Sequence, residues 1–544
     1  MSDNKTPLHS SHIFMFPFRF DWNKKGFKKE YDFYKQETVY ERISLVQLHN
    51  KLTSKEQKHP WNYKPFNVEN DYNEYAYFYD YARDAIYNMG EFSQDSISNY
   101  YNKDELNGEL FELTIKGETY NLTIAGVTLR VFSTGVAILS LELENYEHEK
   151  FDDILRINDF GRRVYPQFIS DGKVEATKEA FLADSIKIPF LDIEENFERE
   201  IYDETYIGNH IMELLGRNVF TQDMQGVGHY YIQPSIDDRM FVVSWYGDKE
   251  KALEIKENYE ESDDWYKYVF VDGQYVTVRN QKMKKELLKN STYDRWSDDG
   301  MLFGVSRYSF VCLTNREWFP FNIIRPHMTS MYFQMITLLL AMRTSILRFS
   351  DEIASLASNE TIDTEKLTNL YQRYLTFYNR LYFKEVTHQD QGIELYDMAR
   401  KQMKIDDHME KLDGKFTKLF EFAKMQSDDK SAKKMNMLTV MGAIFLPPSF
   451  MMSLFGIGLF EYEQSVKSLS IGIFFIVLSA VLTVGFINFT EKSKKIKEMI
   501  VPTIVIAIVM LLMVLVPIKL IGEKADKPND VKVVNKVLKV DVKK

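Results

Sequence analysis

Two clusters of charge stand out for the chemistry they allow. Arg162 and Arg163 are adjacent and follow a stretch carrying Asp152, Asp153 and Asp159. Guanidinium forks match phosphate oxygens with parallel N–H donors. The pair is therefore a candidate ligand-binding site for an anion. The plainer reading is a surface pair held in local salt bridges. Asp237, Asp238 and Arg239 precede an apolar run. A carboxylate there would accept from ribose hydroxyls or an amino group, and a turn of solvated charges would look the same. With 33 tyrosines and 39 phenylalanines, a ring to stack on an adenine is easily supplied, although most of these rings belong in cores. Gly226-Val227-Gly228 is an isolated GxG and carries no weight. His408 beside Asp406 and Asp407 hints at a metal, but a solvated stalk face is the better reading. No Ser/His/Asp arrangement, phosphate-binding GKS/T loop or metal triad is present. The expectation is a protein without catalytic residues, with cleavage of a nucleotide ligand by the N-domain as an alternative.

These residues need a scaffold, and the patterning supplies one. Residues 12–20 read as a buried strand whose proline places it at an edge or an end. Leu122–Phe132 and Val136–Leu143 read as two strands joined by a Ser-Thr-Gly turn. Phe151–Val164 reads as a helix, and Met240–Trp245 and Tyr308–Leu313 as further strands. This mixture predicts an α+β or α/β N-terminal domain over residues 1–325. From 326 to 434 the texture turns helical, with helices expected at 328–357 and 364–384. Leu395, Met398, Ile405, Met409, Leu412, Phe416, Leu419 and Ala423 then recur at three- and four-residue steps, interrupted only by Gln402. Such a seam favours supercoiling against another helix and a coiled-coil-like stalk. The alternative is an amphipathic helix packed within its own subunit.

The C-terminal part is of another kind. Mean hydropathy over the chain is −0.33, yet three long uncharged runs crowd one end. Spans are predicted at 436–460, 468–490 and 499–520, each close to the roughly 20 residues that cross a bilayer. They define a transmembrane domain over 435–522, followed by a lysine-rich tail, 523–544. Lys430, Lys433 and Lys434 precede the first span, and Lys492, Lys494, Lys495 and Lys497 lie between the second and third. Lysines favour the cytoplasmic side, so the N-domain is expected inside and the 461–468 loop outside. A third full crossing is favoured, although it would place the tail lysines outside. Met1–Ser11 is polar and has no apolar targeting core. Across the 544 residues the net charge is −11, which excludes a whole-protein nucleic-acid binder held by counterion release. A single cysteine, Cys312, excludes a disulfide framework and, with scattered histidines, a Cys/His zinc module.

Within the first span, Met435, Leu438, Gly442, Leu446, Ser449 and Gly456 share one helical stripe. They are the candidate pore-lining residues, whose apolar inner end would gate by dewetting. A helix–helix packing face is the alternative. Glu461 and Glu463 follow just outside, where a ring of them would concentrate cations at the mouth. Single copies would be ordinary loop acids.

A long helix that becomes the first span, a short outer loop and a second span form the layout of CorA-type divalent-cation channels. The sequence Met437-Leu438-Thr439-Val440-Met441-Gly442-Ala443-Ile444-Phe445-Leu446-Pro447, continued by Phe450–Gly456, resembles that family's first span. The resemblance covers roughly residues 390–490. It implies a homopentamer in which five such helices line a pore beneath a cytoplasmic funnel. Where the family has Gly-Met-Asn at the outer mouth, this chain has Gly456-Ile457-Gly458. Gly458, also assigned to the pore, offers no amide to a hydrated ion, which puts magnesium selectivity in question. In the N-domain, Phe16-Pro17-Phe18-Arg19-Phe20-Asp21, the aromatic run Tyr72–Tyr81 and Asn158-Asp159-Phe160-Gly161-Arg162-Arg163 resemble the CorA-like effectors of type III CRISPR systems. That resemblance implies antiviral defence and a nucleotide second messenger as ligand, an S-adenosylmethionine–AMP conjugate (SAM-AMP) or a related adenylate. It also implies a bacterial inner membrane location with no direct nucleic-acid contact, and leaves a divalent cation possible as a further ligand. Two alternatives stand beside this expectation: a magnesium transporter without nucleotide gating, and a membrane-anchored sensor or nucleotide-cleaving enzyme that does not conduct.

Overall fold

The computed structural model describes residues 7–23, 44–67, 69, 74–164, 182–197, 207–223, 225–236, 238–273, 275–358 and 362–456. The chain divides into two compact units, Met1–Ala423 and Lys424–Lys544. Among the described residues, fourteen strands of the first unit form one mixed sheet. They are β1 (Ser10–Trp22), β2 (Asn62–Tyr63), β3 (Ser98–Asn102), β4 (Leu110–Ile115), β5 (Glu118–Phe132), β6 (Val136–Asn145), β7 (Ser185–Ile188), β8 (Ile193–Asn196), β9 (Phe220–Thr221), β10 (Tyr230–Pro234), β11 (Phe241–Gly247), β12 (Thr292–Tyr293), β13 (Leu302–Val305) and β14 (Ser309–Thr314). The main path runs β12-β13-β14-β11-β1-β6-β5-β4-β7-β8. Pairing is antiparallel except between β11 and β14 and between β9 and β10.

β1 is central, not an edge. It pairs with β6 along one side, and on the other it pairs first with β11, from Ser10 to Met15, and then with β10, from Phe18 to Trp22. Pro17 sits where one neighbour gives way to the next, the place in a ladder where a missing N–H costs least. Side chains alternate along β1. Ile13 and Met15 enter one core, and Phe14, Phe16, Phe18 and Phe20 enter another on the opposite face. The β5–β6 hairpin turns at Gly135, whose φ of 82° suits the residue without a Cβ.

Helices cover both faces. Residues of α1 (Leu45–Leu52), α2 (Phe151–Gly161) and α3 (Asn209–Leu215) pack with the phenylalanine face of β1. Beside it α4 (Lys249–Lys256), α5 (Asp263–Phe270) and α6 (Gln281–Ser291) build a smaller cluster around Trp265 and Tyr268. α2 lies so close to β1 that a Cβ at Gly161 would fall 2.6 Å from the Phe14 ring.

The other face is closed by α7 (Met331–Ala357), α8 (Thr364–Arg380), α9 (Asp390–Gln402) and the start of α10 (Ile405–Gly456). The sheet and these helices share one core, so the expected boundary at 325/326 falls inside a compact unit that continues to Ala423. Among the described residues one helical run, Pro320–Ala357, is long and apolar enough to cross a membrane, and its most apolar window is 89% buried inside the protein. It serves as the core helix of the first unit. Within it, Arg348 donates to the carbonyls of Phe20 and Gly135 at 3.0 and 2.6 Å and pairs with Asp21 and Glu352.

The apolar seam is two helices and not one. It breaks after Gln402, at Lys404, which takes a left-handed φ of 54°. Gln402, the interruption in the pattern, turns away to donate to the Asn290 carbonyl at 2.9 Å. Leu395, Ile405, Met409, Leu412, Phe416, Leu419 and Ala423 are all buried within their own chain. Phe416 packs on Tyr371 and Tyr374 of α8, with ring centroids 5.6 and 4.5 Å apart. The seam's partners are thus supplied by the same chain, against the expectation of supercoiling with another subunit.

Candidate functional site

α2 begins with Asp152 and Asp153 in its first turn, favourable against the helix dipole, and ends at Gly161. The chain leaves it as an extended strip beside residues 238–240. The Val164 N–H donates to the Asp238 carbonyl at 2.8 Å and the Met240 N–H to the Arg162 carbonyl at 2.7 Å. This strip brings together the two charge clusters separated in the sequence. Arg163 Nη1 donates to Asp238 Oδ2 at 3.0 Å. Asp159 Oδ1 accepts from Arg162 Nη2 at 3.1 Å and from Arg163 Nη2 at 3.5 Å. Arg239 Nε lies 3.2 Å from Asp238 Oδ1. Arg162 also donates to the carbonyl of Val271.

Arg163 and Asp238 are each only 2% exposed, and Arg162 and Asp159 are buried as well. This corrects the expectation of a surface pair and of solvated turn charges. The guanidinium forks are occupied by carboxylates of the fold itself. Burial pushes the Arg162 guanidinium down to about 10 despite Asp159 beside it. Val271 is held at φ 50°, a left-handed position that a β-branched residue rarely takes. Its carbonyl is thereby presented to Arg162. Three arginines face two aspartates among the described residues, and Asp237 lies outside them.

A second buried chain of polar groups starts from the neighbouring residue of α2, Asn158. His12 Nδ1 lies 2.7 Å from Asn158 Oδ1, Asn158 Nδ2 donates to Ser244 Oγ at 3.3 Å, and Ser244 Oγ lies 3.1 Å from the Tyr268 hydroxyl. Burial lowers His12 to about 4. Asn158 thus ties α2 to β1 and β11, while Asp159 ties the two arginines of the strip back to α2. Their buried roles were not visible in a sequence that reads simply as a polar helix end.

Of the assigned pore residues, Met435 and Leu438 lie exposed on α10, 65% and 64%, and Gly442 is half-buried. Leu446, Ser449 and Gly456 lie on the same helix. Gly458, Glu461, Glu463 and the spans at 468–490 and 499–520 lie outside the described residues. His408 has Arg307 and Arg343 near it as well as Asp407, and among the described residues no group of His, Cys, Asp or Glu could hold a metal.

Sequence reasoning missed two polar hollows, each assembled from distant segments. One, of about 210 Å³, lies beside the bulge at Ala125 in β5 and is lined by Lys64, Tyr100, Asn102, Glu142 and Gln334 among others. Burial and neighbouring Glu144 push the Glu142 carboxyl up to about 7. The other, about 140 Å³, is lined by Lys58, Lys103, Glu213 and Arg217 among others. No family model and no curated protein matches the chain.

Proposed function

We propose that the chain is a CorA-like, homopentameric membrane ion channel whose N-terminal domain is cytoplasmic and responds to a nucleotide second messenger, in the manner of an antiviral CRISPR effector. SAM-AMP or a related adenylate is the proposed ligand. The three uncharged C-terminal runs, the lysine distribution and the first-span sequence support the membrane part of this reading. The observation that carries the sensing part is the 3.0 Å contact between Arg163 and Asp238. Two segments singled out separately for phosphate and ribose chemistry form one cluster, with a strained Val271 at its margin.

In this reading the cluster is a closed switch. A ligand phosphate competes with Asp159 and Asp238 for the guanidinium forks. Taking those forks releases the strip 162–164 from 238–240. A ligand shifts such an equilibrium only by its preference for the opened arrangement. The cluster is thereby both the lock of the resting domain and the receptor of the anion.

Removing the arginines is a poor test, because it strands buried carboxylates at a cost of about 3–5 kcal/mol. Asp238→Asn also removes a buried partner and costs stability, but it retains the shape and an amide oxygen that accepts from Arg163, and it leaves an uncompensated guanidinium for the anion to neutralise. The account expects the full-length variant to bind the adenylate about tenfold more tightly by calorimetry, equivalent to about 1.4 kcal/mol. Unchanged or weaker binding contradicts a competition for Arg163.

A further inference from the structure

The smaller hollow carries an inference independent of the Arg162–Asp238 cluster, with which it shares no residue. Its central group is Lys103. The Lys103 N–H donates to the Val127 carbonyl at 3.0 Å, and its Nζ stands 4.8 Å from the centre of the Trp61 ring. Trp61 is itself fixed by a bond from Nε1 to the Leu215 carbonyl at 3.0 Å. Lys103 is only 1% exposed. Its ammonium makes no hydrogen bond or ion pair with any described residue.

The nearby carboxylates have other partners, although Glu213 and its partner Arg217 both line this hollow, so an anion has to draw Arg217 from Glu213. Glu105 accepts from or pairs with His59 Nδ1 at 2.8 Å, and Glu213 is paired with Arg217. They act on Lys103 only through space, and burial pushes its ammonium down to about 8 against their pull. The amine therefore remains mostly charged at neutral pH with its donors unused. A buried charge of this kind calls for a counter-ion. Exposed Lys58, without an ion pair among the described residues, and exposed Arg217, paired with Glu213, line the same hollow. Gly216 turns there at φ 99°, and a Cβ on it would meet Gln57 Oε1 at 3.3 Å.

We propose that this hollow is a binding site for a phosphate group, anchored by Lys103 over Trp61 and completed by Lys58 and Arg217. The Trp61 ring steadies the Lys103 ammonium from behind, the ammonium meets the anion on one side, and exposed Lys58 and Arg217 stand on the other. A hollow of about 140 Å³ has room for a tetrahedral oxyanion, with the remainder of any ester lying outside it. The source is either free inorganic phosphate or the phosphate of a small ester whose remainder lies outside.

The test uses the full-length chain in detergent at pH 7, with sodium phosphate, 5′-AMP and, at matched ionic strength, sodium chloride. Calorimetry and thermal melting should show binding and stabilisation by phosphate or AMP and none by chloride. Binding of both identifies free phosphate as sufficient, and binding of AMP alone identifies an ester. Lys103→Met keeps the stem and removes the charge. It should weaken binding tenfold or more, yet raise Tm in chloride because the unpaired ammonium is gone. Lys103→Gln should show the same loss of binding. Absence of binding by both anions, or unchanged affinity in both variants, overturns the proposal.

Discussion

Buried histidines give the first unit a pH dependence that follows from single residues. His12 is lowered to about 4 and His210 to about 3, each by burial. Below pH 6.5 the unfolded chain takes up a proton at each ring while the folded chain does not. Stability is therefore intact above pH 6.5 and declines as the pH falls toward 4, by about 1.4 kcal/mol per pH unit for each histidine. Denaturant midpoints measured at pH 7 and pH 5 should show this loss. His12→Gln, which retains a hydrogen-bonding group for Asn158, should reduce the slope. An unchanged slope would remove His12 from the account. The same residue scale explains why Arg162 and Arg163 cannot be read as open forks. Their carboxylate partners lie within 3.5 Å: Asp159 stands one helical turn before them, and Asp238 comes from a segment far along the chain.

Elements carry the next consequence. The apolar seam from Leu395 to Ala423 is satisfied by α7 and α8 of its own chain, with Phe416 against Tyr371 and Tyr374. Phe416→Asp would bury an unpaired carboxylate in that core, at a cost of several kcal/mol. The expected result is a large drop in the Tm of the first unit, with any loss of oligomer secondary to unfolding. A normally melting protein that merely dissociates would assign the seam to a subunit interface.

The elements also show how far the sequence could be read. Alternation made β1, the β5–β6 hairpin, β11 and β14 legible, and acidic first-turn residues and apolar spacing made α2 legible. Pro17 pointed to an edge because a sequence does not show that β1 changes partner from β11 to β10 at that residue. The seam was legible as apolar spacing, but a heptad does not say which helix fills it, and the left-handed turn at Lys404 is marked by no glycine. The chemistry of Arg162, Arg163 and Asp238 was legible from residue type. Their meeting was not, because it depends on strand pairing across the domain. Lys103 gave no signal at all, since its significance lies in burial over Trp61.

At the scale of the whole molecule, a sheet-based unit closed on both faces by helices is joined in sequence to a C-terminal part rich in uncharged runs. The proposed division of labour is sensing in the first and conduction in the second. The most direct measurement is ion flux from liposomes carrying the full-length protein, with and without the adenylate ligand. The account predicts little flux without ligand and a ligand-dependent rise, with Asp238→Asn opening at a lower ligand concentration. Equal flux with and without ligand, or no flux under either condition, would contradict it.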